Sequence, residues 1–312
     1  MGHGRCQHAG LPRCGDRTLP ARHGHLADLG PRPGHDSDDR ALARGHDRRP
    51  VHPGARGQRA AEGLHGVRFG DPLGRLRETV DICRQAFAGE KIAYDGRHHV
   101  LPLPGGQGKS LRLAQPANDS IEIWLATLGP KSLRYTGEAA DGWIGVCFVP
   151  SRPEVTWGQV VDAVAAAGRP PGSVACQAGG AVEFGDDLDA LIEPRRPGLA
   201  FTLGAMGSAT ANFYNDAYRR AGFEEECRHV QRLWLDGDRA AAAAAVPDRL
   251  VTETNFLGTH EQVMNQVRAY RDAGVDVLRL QPEGPTAAAR LDTLAAMIDI
   301  VQAVNAEPAG AT

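Results

Sequence analysis

The stretch IEIWLATLGPKSLRYTGEAADGWIG, residues 121–145, holds a strand, a tight turn, a helix and the start of a second strand. Ile121, Ile123, Trp124 and Leu125 form a short apolar, partly β-branched run, the pattern of a strand buried on both faces. Gly129 and Pro130 stop that strand and open a helix, because proline is tolerated at a first helical position whose N–H would have no partner anyway. A helix is predicted from Lys131 to Ala140, and a second buried strand from Gly142 to Val149. A strand, a glycine-containing turn and a helix start leave unpaired backbone N–H groups converging on one spot, which suits a phosphate. Taken locally, a Gly-Pro turn can equally be a turn and nothing more.

Toward the N-terminus, Asp71-Pro72 opens a predicted helix whose apolar positions Leu76, Val80, Cys83 and Phe87 recur at helical spacing, and Gly89 stops it. Residues 90–118, with Tyr94-Asp95-Gly96 and scattered Pro and Gly, suit a hairpin-like excursion and a loop. Within it, GGQGKS at residues 105–110 imitates the end of a nucleoside-triphosphate loop. Its spacing fails, because the first glycine of that motif would fall on Leu103, and no strand precedes it.

Toward the C-terminus, strand and helix patterns keep alternating. A helix is predicted over Glu154 to Gly168 and a strand over Val174 to Phe184. From Asp187 to Leu203 the pattern is less regular, with Pro194, Arg195, Arg196 and Pro197 breaking any long helix. A glycine-rich loop follows at Gly204 to Ser208, and a polar-aromatic helix starts at Asn212 and runs to Arg220. Glu224 to Trp234 and Arg239 to Ala245 read as helices, the alanine run reflecting propensity and not a site. Thr259 with Gln262 forms a capping box opening a helix to Ala273; Gly274 ends it, and Val275 to Leu280 is the last strand. Pro282 to Pro285 is the loop after it, and Ala287 to Val304 an outer helix. The alternation indicates βαβ units and a parallel sheet, which either an open sheet or a closed barrel satisfies.

A chain of 312 residues accommodates one α/β barrel or two smaller domains. A net charge of −3 gives no global footprint for nucleic acid or an acidic membrane surface. The six cysteines lack CxxC pairing and metal-ligand spacing, and no apolar run is long enough to cross a bilayer. A reduced cytoplasmic protein without a metal is the expectation, with Cys83, Cys147, Cys176 and Cys227 as small buried hydrophobes.

Residues 1–60 differ from the rest. They hold eleven arginines and seven of the twelve histidines, ten Gly and six Pro, but no Lys, Glu, Phe, Tyr, Trp, Ile or Asn. Such a stretch cannot bury an apolar face and reads as disordered. A nucleic-acid arm would interleave aromatics with its charges, and a transit peptide would be poor in acids, whereas Asp36, Asp38 and Asp39 cluster here. Back-translation with GC-rich codons, read one base later, gives instead a string with helix, strand, helix and a strand ending in glycine. The expectation is an out-of-frame segment over 1–60, followed by a barrel portion over 61–312.

Four segments together resemble the luciferase-like monooxygenase family, in particular its members that use the deazaflavin coenzyme F420. They are EGLHGVRFGDPLGRLR at 62–77, the 121–145 stretch, GAMGSATANFYND at 204–216 and LGTHEQVMNQVRAYRDAGVDVLRLQP at 257–282. The resemblance spans roughly residues 61–305 and implies a (β/α)8 TIM barrel, incomplete at its N-terminus, with the cofactor at the carboxyl ends of the strands. On that likeness the chain is expected to lack the family's first strand, first helix and second strand. The resemblance further implies an oxidoreductase carrying hydride between F420 and a small organic substrate. The backbone of Thr127, Leu128 and Gly129 and the helix start at Lys131 would hold the cofactor phosphate, and Gly204, Met206 and Gly207 would line the cavity. Flavin mononucleotide with oxygen is the alternative cofactor, since the two share a phosphate anchor, and an inactive fragment is a third reading. The family's acid/base groups have no in-frame counterpart, so no catalytic residue is assigned. A small-molecule substrate is the expected partner, with no nucleic acid or membrane; a homodimer is allowed but not required.

Overall fold

Local capping chemistry sets the first helix. In the computed structural model, which describes residues 70–207 and 212–307, α1 (Pro72–Phe87) begins with proline in its first turn, behind Asp71. The Asp71 carboxylate accepts the Gly74 N–H at 3.0 Å, satisfying a donor the helix cannot. A small antiparallel hairpin follows, β1 (Tyr94–Asp95) with β2 (Val100–Leu101). It is tied to α1 by Glu78, whose carboxylate accepts the N–H groups of Arg97 at 2.8 Å, His98 at 2.9 Å and His99 at 2.7 Å.

The wall of the fold is parallel sheet. It comprises β3 (Trp124–Leu125), β4 (Gly142–Gly145), β5 (Ala175–Ala178) and β8 (Val277–Leu278), in that order. Trp124 lies opposite Gly142, Gly142 opposite Ala175, and Gln177 opposite Val277. The connections are α2 (Pro130–Ala139) and α3 (Trp157–Ala166), as parallel strands require crossovers. Leu133, Trp143, Val160 and Cys176, all fully buried, share one apolar cluster with Met297 and Ile300. This is the α/β architecture of a TIM-type barrel wall, and the described residues supply four parallel strand positions of it: β3, β4, β5 with its continuation, and β8 with its continuation.

Those continuations depart from the predicted strands. Val174 to Phe184 is not one strand: β6 (Ala181–Phe184) is separated from β5 at Gly179-Gly180. There is no room for a side chain at the break. A Cβ on Gly179 would meet the Arg279 carbonyl oxygen at 2.2 Å, and one on Gly180 the Thr254 carbonyl oxygen at 2.1 Å. The last strand is likewise split into β8 and β9 (Gln281–Pro282). In this upper level β6 is flanked by β9 and by β7 (Phe256–Gly258), both parallel to it. The predicted strand Gly142 to Val149 stops at Gly145, and β7 takes the flank of the wall that β4 leaves.

Between β6 and β7 the chain makes a helical excursion: α4 (Leu188–Ile192), α5 (Arg196–Ala205), α6 (Phe213–Tyr218), α7 (Glu224–Leu235), α8 (Arg239–Ala244) and α9 (Asp248–Glu253). The expected interruption over Pro194 to Pro197 is present: α4 ends at Ile192, a 3-10 turn covers Glu193–Arg195, and α5 starts anew at Arg196 with Pro197 in its first turn, where its missing N–H costs nothing. These helices pack a second apolar cluster, Leu203, Tyr214, Phe223, Cys227, Val230 and Leu250, onto Leu128, Cys147 and Val149 beyond the ends of β3 and β4. After β7, Thr259 and Gln262 form the expected capping box of α10 (His260–Asp272), and α11 (Ala287–Ala306) closes the described chain.

β3 is buried on one face only, contrary to its sequence pattern. Ile123 and Leu125 are buried against α1 and α2, whereas Ile121, Glu122 and Ala126 are exposed. Among the described residues β3 pairs with β4 alone, which leaves its other side without a neighbouring strand. The proposed out-of-frame segment, residues 1–60, and the 62–69 portion of the first matching segment lie outside the described residues.

Candidate functional site

The turn after β3 is held rigidly from below. Thr127 is buried, its hydroxyl 2.7 Å from that of Thr136, and its carbonyl accepts the indole N–H of Trp143 at 2.9 Å. Gly129 is the N-cap of α2, and no side chain caps it. Its carbonyl accepts the Leu133 N–H at 2.9 Å and the Ser132 hydroxyl at 2.9 Å. The carbonyls are thus engaged. The N–H groups of the first helical turn have no acceptor within a helix, and Pro130 brings none. Gly129 has φ −78°, an ordinary conformation, and a Cβ there would find only the Ser132 hydroxyl, at 3.6 Å. Open space therefore lies over the turn, and Lys131 is exposed beside it. The donor set fits a phosphate or similar anion.

Arg220 reaches this turn from the helical excursion. It lies in a π-helical segment, Arg219–Phe223, which Gly222 (φ 95°) turns into α7. Its Nη2 donates to the Leu128 carbonyl at 3.0 Å, and its Nε to the Asp216 carbonyl at 3.2 Å. Nη1 is buried without an acceptor. Burial holds the Arg220 pKa below its ordinary value, opposed by the charges of Asp216 and Cys147. Arg219 next to it is paired with Asp216 and Glu224. Cys147, just past β4, takes φ 59°, rare outside glycine. Burial pushes its thiol up to about 12, although a hydrogen bond with Tyr218 and the Arg220 charge pull the other way. It is no activated nucleophile.

Thr127, Leu128, Gly129 and Lys131 are contiguous at this turn, and Leu128 shares its apolar cluster with Met206, which packs against it from the end of α5. Gly204 stands differently. It is inside α5, and a Cβ there would lie 2.1 Å from Cγ of Trp234 on α7, so its smallness serves helix packing. Gly207 (φ 138°) follows the helix end, just before residues outside the description. The polar residues of NFYND are also structural: Asn212 caps α6 and donates to the Leu203 carbonyl at 2.9 Å, and Asn215 bridges the carbonyls of Leu203 and Cys227, both at 3.0 Å. The contact of Arg220 with the turn was not read from sequence; its sole signal was a charge among the buried positions Tyr218, Ala221 and Phe223.

A separate surface cavity of about 570 Å³ lies between the loop at Pro150–Pro153 and α10, and none of the turn residues lines it. No helix among the described residues is long and apolar enough to cross a membrane.

A protein of Mycobacterium tuberculosis that carries the name of a coenzyme F420-dependent oxidoreductase is 33% identical over 233 residues, covering 72% of this chain and 67% of that protein. Two solved structures resemble the fold. The coenzyme F420-dependent tetrahydromethanopterin reductase of Methanopyrus kandleri gives a TM-score of 0.54 at 19% identity, over 76% of this chain and 62% of that one. An F420-dependent secondary alcohol dehydrogenase, solved with an F420-acetone adduct, gives 0.56 at 17% identity, over 77% and 66%. The chain thus spans 62 to 67% of the length of these three proteins. The sequence profile of the luciferase-like monooxygenases matches residues 48–277, and the chain belongs to that family.

Proposed function

We propose that the protein is an oxidoreductase using coenzyme F420, with the phosphate of the cofactor seated on the β3–α2 turn. The observation that carries this reading is the uncapped start of α2, at the carboxyl end of a parallel strand in a chain of this family. Backbone amides at Leu128, Gly129 and Lys131 would bind the phosphate, while Thr127, fixed by Thr136 and Trp143, keeps the turn in place. Met206 and the helices of the excursion would shield the bound cofactor from water. The deazaflavin supplies hydride chemistry when bound; the protein supplies anchoring and orientation. The substrate is a small organic molecule, set by loops that carry no transferable motif.

Fluorescence titration of the purified chain with F420 and with FMN tests the assignment. Saturable binding of F420 in preference to FMN is expected. Preference for FMN, with a product oxygenated from O₂, would replace it with the monooxygenase reading. Absence of binding to either would leave the inactive-fragment reading.

A further inference from the structure

Arg279 is the residue that follows β8, at its carboxyl end. Leu278 and Leu280, on either side of it, pack against the apolar cluster beneath α3, α10 and α11. Side chains alternate across an extended chain, so Arg279 points to the face of the wall that turns away from those helices. Its amide donates to the Ala178 carbonyl at 2.9 Å and its Nη2 to the Gly179 carbonyl at 3.2 Å, which lays the guanidinium over the carboxyl end of β5. In a parallel barrel this end of the strands is where ligands are bound.

The charge placed there has no counterpart in the protein. Among the described residues no carboxylate forms an ion pair with Arg279, whereas Arg268 and Arg271 of the neighbouring α10 share Glu307. Glu183 lies beyond the break in the wall and faces the same way, between Val182 and Phe184 of the apolar cluster, but it is already held by Arg195 at 2.7 Å. Arg279 is partly buried, and burial holds its pKa below the ordinary value, opposed by Tyr270 and Tyr218. Nε and Nη1 meet no acceptor among the described residues, and neither is sealed from solvent. A neutral donor would serve the Gly179 carbonyl alone. A partly desolvated cation is costly without a counter-charge, and this one keeps open donors on the side where a ligand would arrive.

We propose that Arg279 binds an anionic group of the substrate, a carboxylate or a phosphoryl group, at the carboxyl ends of β5 and β8. This names the substrate class of the oxidoreductase proposed above and rests on that reading. Three strand spacings, about 14 Å, separate β8 from β3, so the group held here is distinct from the cofactor phosphate on the β3–α2 turn. Arginine suits the task, since it stays charged at any working pH and its hydrogen bonds to anionic oxygens are charge-assisted.

The test keeps F420 bound to saturation, so that the turn is filled, and titrates sodium acetate and sodium phosphate against the full chain by thermal shift. Sodium chloride at equal ionic strength is the blank. At least one anion should raise the melting temperature beyond chloride, and the stronger of the two tells a carboxylate site from a phosphoryl site. In Arg279→Gln its apparent affinity should fall about fivefold or more, with Arg279→Lys in between. No shift beyond chloride in the parent, or an undiminished shift in Arg279→Gln, would overturn the proposal. Should Arg279→Gln fail to fold, the parent decides through labelling with phenylglyoxal, mapped by mass spectrometry. The anion should protect Arg279 from the reagent where chloride does not; equal labelling with either would refute the assignment. F420 that does not bind would overturn the oxidoreductase reading and this assignment with it, whereas F420 that binds while neither anion affects Arg279 overturns this assignment alone.

Discussion

Glycine plays opposite roles at the two ends of the proposed site. At Gly129 the space over Cα is open, and aspartate is a better N-cap than glycine by a few tenths of a kcal/mol. Gly129→Asp is therefore expected to leave folding intact or slightly improved in urea titrations. The same substitution sets a carboxylate against the bound phosphate and should weaken F420 binding by about 1 to 3 kcal/mol, the size of a like-charge contact in partly screened surroundings. Undiminished affinity would remove the anchor from this turn. At Gly204 the opposite holds, since any side chain there overlaps the ring of Trp234. Gly204→Ala should cost about 1 to 3 kcal/mol in urea unfolding, as overpacked sites do, and a neutral result would mean the residue faces free space. The strand end, turn and helix start at residues 124–131 could be read from sequence because they are contiguous. The hydrogen bond from Arg220 could not, because its acceptor, the Leu128 carbonyl, is far away in the chain.

Among the elements, those whose ends are governed by neighbouring residues were legible: Asp71 before α1, and Thr259 with Gln262 before α10. Those decided by distant contacts were not. Nothing local says that the carbonyls of Arg279 and Thr254 press on Gly179 and Gly180, so the strand there reads as continuous. The interruption at Pro194 to Pro197 was legible because proline is excluded from a helix interior and accepted in a first turn, which is where Pro197 lies in α5. The hairpin β1–β2 offers a test by pH. Burial raises the pKa of Glu78, but three backbone N–H bonds, from His98, His99 and Arg97, outweigh it and leave the group below its ordinary 4.5. A depressed carboxyl stabilises the fold above its unfolded pKa, and this contribution is lost as pH falls through the folded value. Glu78→Gln should accordingly loosen the hairpin at neutral pH, seen as faster amide exchange at Arg97, His98 and His99. The difference from the parent should shrink as pH drops below about 4.

For the molecule as a whole, the described cysteines behave as core residues. Cys83, Cys147, Cys176 and Cys227 are buried and unpaired, and burial pushes each thiol upward, to about 12 for Cys147 and Cys227. At pH 8 a disulfide exchange reagent should therefore titrate no more than two of the six thiols in the native protein, and all six in denaturant. A native count above two would show that the described core opens readily.

The break at Gly179-Gly180 divides the wall into two storeys with separate tenants. The lower storey sets β5 beside β4 and β8, and β3, β4 and β5 follow one another in it through single-helix crossovers. The upper one, β6 beside β7 and β9, owes its flank to everything the chain does between residues 185 and 255. Because that detour departs from β6 and rejoins it, lengthening or trimming it disturbs no pairing in the storey beneath. The excursion can thus change in length while the strands beneath it keep their register.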